Sequence, residues 1–101
     1  MAYHWSKAEA LEVLSVLRGH GGQATTIVIF EEIYRRSRRR LVNNSISSLR
    51  KWAEVERGIP RDQAVSCEYV GRTADKKLVY CYRLCAELMN GRRTQAALFT
   101  D

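Results

Sequence analysis

The spacing of apolar residues changes once along the chain, and that change limits the fold more than any other feature. Up to about residue 56 the apolar side chains recur every three or four positions, as in helices packed on one side. From Val65 to Leu84 they alternate, as in strands with one face covered. The chain has 101 residues, 46% of them hydrophobic. That suffices for one core and is too little for two. Helices and a small sheet must therefore share a single core, and the expected fold class is α+β.

The elements can be placed from local chemistry. Ser6 opens the first helix, and Glu9 three residues later completes a capping-box pattern. Ala10, Leu11, Leu14 and Leu17 then fall on one face with Val13 beside them, and Gly19, Gly21 and Gly22 end the helix. Residues 24–37 carry two signals. The β-branched run Thr25–Ile29 reads locally as strand. Ile29, Phe30, Ile33 and Tyr34 share a helical face, however, and Thr25 or Thr26 can cap it. Length favours a helix over about 26–36 with a short extended lead-in. Arg38 to Leu41 is too short and too charged for anything but a turn or a frayed helix end. A third helix is expected over about 43–56, capped by Asn43 or Asn44. Val42, Ile46, Leu49, Trp52 and Ala53 would face inward, and Asn44, Ser47, Ser48, Arg50 and Lys51 outward. Gly58, Ile59 and Pro60 end it. Two strands then flank a polar hairpin loop at residues 71–77. A closing helix is expected over about 86–98, carrying Leu88, Met89, Ala96 and Leu98. Trp5, Phe30, Tyr34 and Trp52 are assigned to the core. Tyr69, Tyr80 and Tyr82 are expected to pack on the helices.

Charge points to a polyanionic partner. Seventeen Lys and Arg oppose eleven Asp and Glu, a net charge of +6. Five of the six residues from Arg35 to Arg40 are Arg, and the hairpin loop adds Arg72, Lys76 and Lys77. Arginines so close repel one another unless anions screen them. Glu31 and Glu32 precede the cluster and must point elsewhere for phosphate to approach it. No apolar run approaches the roughly 18–20 residues of a membrane span. The first twenty residues lack a leader pattern, so the expected compartment is the cytoplasm. Cys67, Cys81 and Cys85 contain no CxxC, and only His4 and His20 could complete a metal set. They read as small buried hydrophobes in a reducing compartment, and no metal or cofactor is expected. None of GxSxG, P-loop, GxGxxG or HExxH is present, so an enzyme is not expected.

The order helix, helix, turn, helix and cationic hairpin over residues 6–84 resembles the winged helix-turn-helix family. Ser45-Ile46-Ser47-Ser48-Leu49, Gly58-Ile59 and Tyr82-Arg83-Leu84 fit its local phrasing. The resemblance implies a winged helix-turn-helix domain over 6–84, with three helices and a two-stranded wing. Residues 85–101 are expected to form a C-terminal helix that serves as a dimerisation segment. It also implies that the third helix enters the major groove, where base edges present distinct donor and acceptor patterns. The DNA-binding residues expected on this ground are Asn43, Asn44, Ser47, Ser48 and Lys51 on that helix. Arg38, Arg39 and Arg40 before it, and Arg72, Lys76 and Lys77 on the wing, would hold phosphate. The expected function is sequence-specific double-stranded DNA binding by a small transcriptional regulator of bacterial, phage or plasmid type, nucleoid-associated when bound. A homodimer is expected, because one small module buries little of a site; Leu88, Met89, Leu98 and Phe99 would supply its contact. The alternative is a protein–protein adaptor with an acidic partner, which exposed apolar residues along the third helix would favour.

Overall fold

The structure, a computed structural model, describes residues 5–38 and 41–89. Among these residues the chain is α+β. Its helices are α1 (Lys7–Gly19), α2 (Thr26–Ser37), α3 (Val42–Arg57) and two single turns, α4 (Arg61–Ala64) and α5 (Ala86–Met89). Its strands are β1 (Gln23–Thr25), β2 (Val65–Arg72) and β3 (Leu78–Leu84). They form an antiparallel sheet in the order β1-β3-β2.

Ser6 caps α1 as its sequence implies, its Oγ accepting the Glu9 N–H at 3.3 Å. The return arm of the capping box is rerouted through α3. The Ser6 N–H donates to Ser48 Oγ at 3.0 Å, and the Ser48 hydroxyl donates to Glu9 Oε1 at 3.3 Å. One hydroxyl thus ties the start of α1 to the middle of α3. The inner face of α1 is Ala10, Val13, Leu14, Val16 and Leu17. Leu11 is exposed instead, because Ser15 and Arg18 are its neighbours one and two turns on. Beyond α1, Gly22 takes a φ of 95° and its N–H reaches Leu17 O at 2.8 Å. That φ favours glycine, and a Cβ there would also meet Met89 Sδ at 2.9 Å, a contact the flexible methionine could relieve by shifting.

The extended lead-in to α2 is a true strand, and it makes the sheet three-stranded rather than a lone hairpin. Thr25 caps α2, accepting the Val28 N–H at 3.4 Å. The Thr26 hydroxyl continues β1's work on the edge of β3. It accepts the Tyr80 N–H at 3.0 Å and donates to Tyr80 O at 3.2 Å.

The expected Asn cap of α3 is corrected. The helix starts at Val42 with Leu41 as N-cap and no side-chain cap bond, so Asn43 and Asn44 lie inside its first turn. Burial of Val42 draws the chain into the helix before the asparagines are reached. At the far end Gly58 turns left-handed, with φ 68°, and the buried Ile59 donates its N–H to Ala53 O at 3.2 Å. The stretch from Ile59 to Ala64 is not a plain linker. The Gln63 and Ala64 N–H groups both reach Pro60 O at 3.0 Å, closing α4 and delivering the chain to β2.

The core joins α1, α2 and α3 to one face of the sheet through Leu17, Ile29, Ile33, Leu49, Val65 and Tyr82. Trp52 is buried and Trp5 packs against the cluster, as expected. Phe30 and Tyr34 are not core. Phe30 is exposed and Tyr34 half-buried, and they stack on each other at 5.6 Å between ring centroids. Tyr69 is also exposed. The cysteines are not the buried hydrophobes expected: Cys67 is exposed on the outer strand β2, and Cys81 and Cys85 are half-buried. Among the described residues no cluster suits a metal ion, and no helix is long and apolar enough to cross a membrane.

The closing helix is described only as far as Met89; residues 90–98 of that expectation, with Leu98 and Phe99, lie outside the described residues. Leu88 is fully buried, so it completes the core and has no surface to offer a second chain. Arg18 fixes it there, its Nε and Nη2 donating to Leu88 O at 2.9 and 2.6 Å.

Candidate nucleic-acid interface

α3 presents one row of side chains to solvent. Asn43, Ser47, Arg50 and Glu54 recur at three- and four-residue steps, so they lie along one line of the helix, with Asn44 and Lys51 beside it. Asn43 and Ser47 are exposed, and Asn44, Arg50 and Lys51 are half-buried. Ser48 is removed from the set of base-contacting residues. A further step of about 100° per residue carries it off the row and against α1, where it is fully buried and bonded to Ser6 and Glu9.

The row has fixed edges. On the hairpin side the Arg50 guanidinium donates from Nε and Nη2 to Val65 O, at 3.2 and 2.8 Å. That fork pins α3 to the start of β2. At the α3 N-terminus the Tyr82 hydroxyl donates to Asn43 Oδ1 at 3.4 Å. Burial pushes the Tyr82 phenol above its ordinary pKa. Ser47 and Arg50 then share an open cleft with Arg61 and Asp62 of α4 and with Ser66 and Cys67 of β2. The helical spacing places Arg50 on the polar face of α3. Only the packing of α4 against α3 brings Arg61 to the cleft, so spacing carries no signal for it.

The hairpin loop is smaller than expected, because β2 extends to Arg72 while β3 starts at Leu78 as expected. It is braced internally. The Thr73 N–H donates to Lys77 O at 2.9 Å, and Arg72 Nη1 donates to Lys76 O at 3.1 Å. The Thr73 hydroxyl bonds Asp75, whose carboxyl lies below its usual pKa for that reason, and Lys77 Nζ pairs with Asp75 at 3.8 Å. Arg72 at the end of β2 and Lys76 and Lys77 in the loop are all exposed.

The arginine cluster divides. Arg35 and Arg36 pair with Glu32 at 2.6 and 3.8 Å, so that acid is neutralised within α2. Arg38 stands at the α2 C-cap in the left-handed region, φ 64°, with its guanidinium over the Tyr34 ring at 5.2 Å. Arg39 and Arg40 lie outside the described residues. Among the described residues two non-glycine positions have positive φ, Arg38 and Lys76, and both are candidate phosphate contacts.

A feature that spacing did not reveal lies between α2, the start of α3 and the hairpin. Ile27, Phe30, Leu41 and Leu78 are 37–64% exposed around the buried Val79. Asn43 and Lys77 also line this apolar groove. No family model, curated protein or solved structure matches the chain.

Proposed function

We propose that the chain is a winged helix-turn-helix protein that binds double-stranded DNA sequence-specifically as a small transcriptional regulator. The observation that carries this reading is the outward row of α3, where Asn43 and Ser47 stand exposed, with Asn43 sharing a groove with Lys77 of the hairpin loop. Short side chains with both donors and acceptors suit base edges, and cations suit phosphate. The element order, with β1 pairing β3 and a braced hairpin after α3, supports the same reading. In it, α3 lies in the major groove and Arg72, Lys76 and Lys77 rest on the adjacent backbone. The protein acts in the cytoplasm, on the nucleoid, as a homodimer; Met89, Leu98 and Phe99 are the remaining candidates for its contact. The apolar groove of Ile27, Phe30, Leu41 and Leu78 favours a second reading, a protein–protein adaptor.

Titration with a labelled duplex across salt concentrations, read by fluorescence anisotropy, separates the two. If each monomer neutralises about 4–5 phosphates, the log–log slope of affinity against salt is near −4 per monomer. A flat response removes the nucleic-acid reading and leaves the adaptor.

A further inference from the structure

One residue on the outward row of α3 has the wrong sign for a surface that meets phosphate. Glu54 lies two turns beyond Ser47 on the same line. A single oxygen of its carboxylate, Oε1, receives Lys51 Nζ at 3.1 Å and Arg61 Nε at 3.1 Å. Lys51 comes from the preceding turn of α3 and Arg61 from α4, so the carboxylate gathers cations from two elements. Glu54 is ionised at neutral pH, and hydrogen bonds from Lys51 and then Arg61 hold its carboxyl below the usual carboxylate range.

A cation paired in this way must give up its carboxylate before it can neutralise a phosphate. We propose that Glu54 is a positioning residue that holds Lys51 and Arg61 back from the DNA backbone and so limits the protein's sequence-independent affinity. The proposal rests on the duplex-DNA reading. Phosphate contacts add affinity to every sequence alike, and a regulator faces a large excess of random sites. A carboxylate at the far end of the reading row opposes that uniform attraction. It leaves the contacts of Asn43 and Ser47 with base edges untouched. The pairs are exposed, so they are weak enough to yield and too weak to carry the fold.

The test is the affinity of wild type and Glu54→Gln for a random-sequence duplex across salt concentrations. Releasing two cations is expected to raise affinity about tenfold at 0.1 M salt and to steepen the salt slope by about one to two. Adding Arg61→Ala to Glu54→Gln is expected to return about one of those units. A merely structural role for Glu54 would change the melting temperature without steepening the slope. If the wild type shows the salt dependence and Glu54→Gln matches it in slope and affinity, the proposal is overturned while the DNA reading stands. If Glu54→Gln instead weakens binding to a selected duplex alone, Glu54 contacts a base and the proposal is equally overturned. A wild type whose binding ignores salt overturns both.

Discussion

Ser45 and Ser48 are both buried on α3, and their hydroxyls have opposite consequences. Ser48 Oγ links the Ser6 N–H to the Glu9 carboxylate, whereas Ser45 Oγ has no hydrogen-bond partner among the described residues. A bonded buried hydroxyl stabilises, and its loss strands the groups it served; an unbonded one costs its desolvation. Ser48→Ala should therefore lower stability by about 1–3 kcal/mol, and Ser45→Ala should leave it unchanged or raise it. Urea unfolding of the two variants checks the pair. Backbone conformation gives a second contrast. Lys76 sits at φ 67°, which side chains with a Cβ adopt at a cost of about 1–2 kcal/mol. Lys76→Gly should relieve part of that and raise stability by about 0.5–1 kcal/mol, while weakening DNA binding through the lost cation. A variant that gains in thermal unfolding and loses in anisotropy titration would show a strained loop retained for its charge. A Lys76→Gly protein that binds as well as wild type removes Lys76 from the interface.

At the scale of elements, α3 is held from both sides. Ser48 ties it to α1, and Arg50 ties it to β2 by a fork on Val65 O. The second tie fixes how far the hairpin stands from the reading row. Lysine keeps the charge but lacks the planar fork. Arg50→Lys should therefore lower DNA affinity about tenfold without changing the salt slope, since no phosphate contact is lost. A slope reduced by about one would instead place Arg50 on the backbone. The long elements were legible in the sequence because α1, α2, α3 and the hairpin each carry several periods of pattern and a cap or glycine stop. β1 and α4 carry three and four residues, too few for a period. β1 exists through a strand distant in sequence, β3, and α4 is a single turn closed on Pro60 O and tied to the far end of the sheet by the Cys85 N–H on Ala64 O. The same cause explains the misplaced serine. Ser47 and Ser48 are alike in type, and only the approach of α1 decides that one is exposed and the other buried.

Across the whole molecule, charge is partly neutralised and partly displayed. Glu32 takes up Arg35 and Arg36, Glu54 takes up Lys51 and Arg61, and Asp75 pairs with Lys77. The sequence located the cationic segments, but which members remain free depends on these contacts, and composition does not encode them. Leu88 gives the same lesson for packing: an apolar residue read as surplus is needed to close the core. The central claim is that α3 reads sequence while the hairpin holds backbone, and it makes the two parts separable. The most direct measurement is the affinity of Ser47→Ala for a duplex selected from a random pool and for a random duplex of equal length, with Lys76→Ala beside it. The account predicts that Ser47→Ala costs about 1–3 kcal/mol on the selected duplex and little on the random one. Lys76→Ala should weaken both alike. If Lys76→Ala abolishes the preference and Ser47→Ala keeps it, the hairpin is the reader and the account of α3 is wrong.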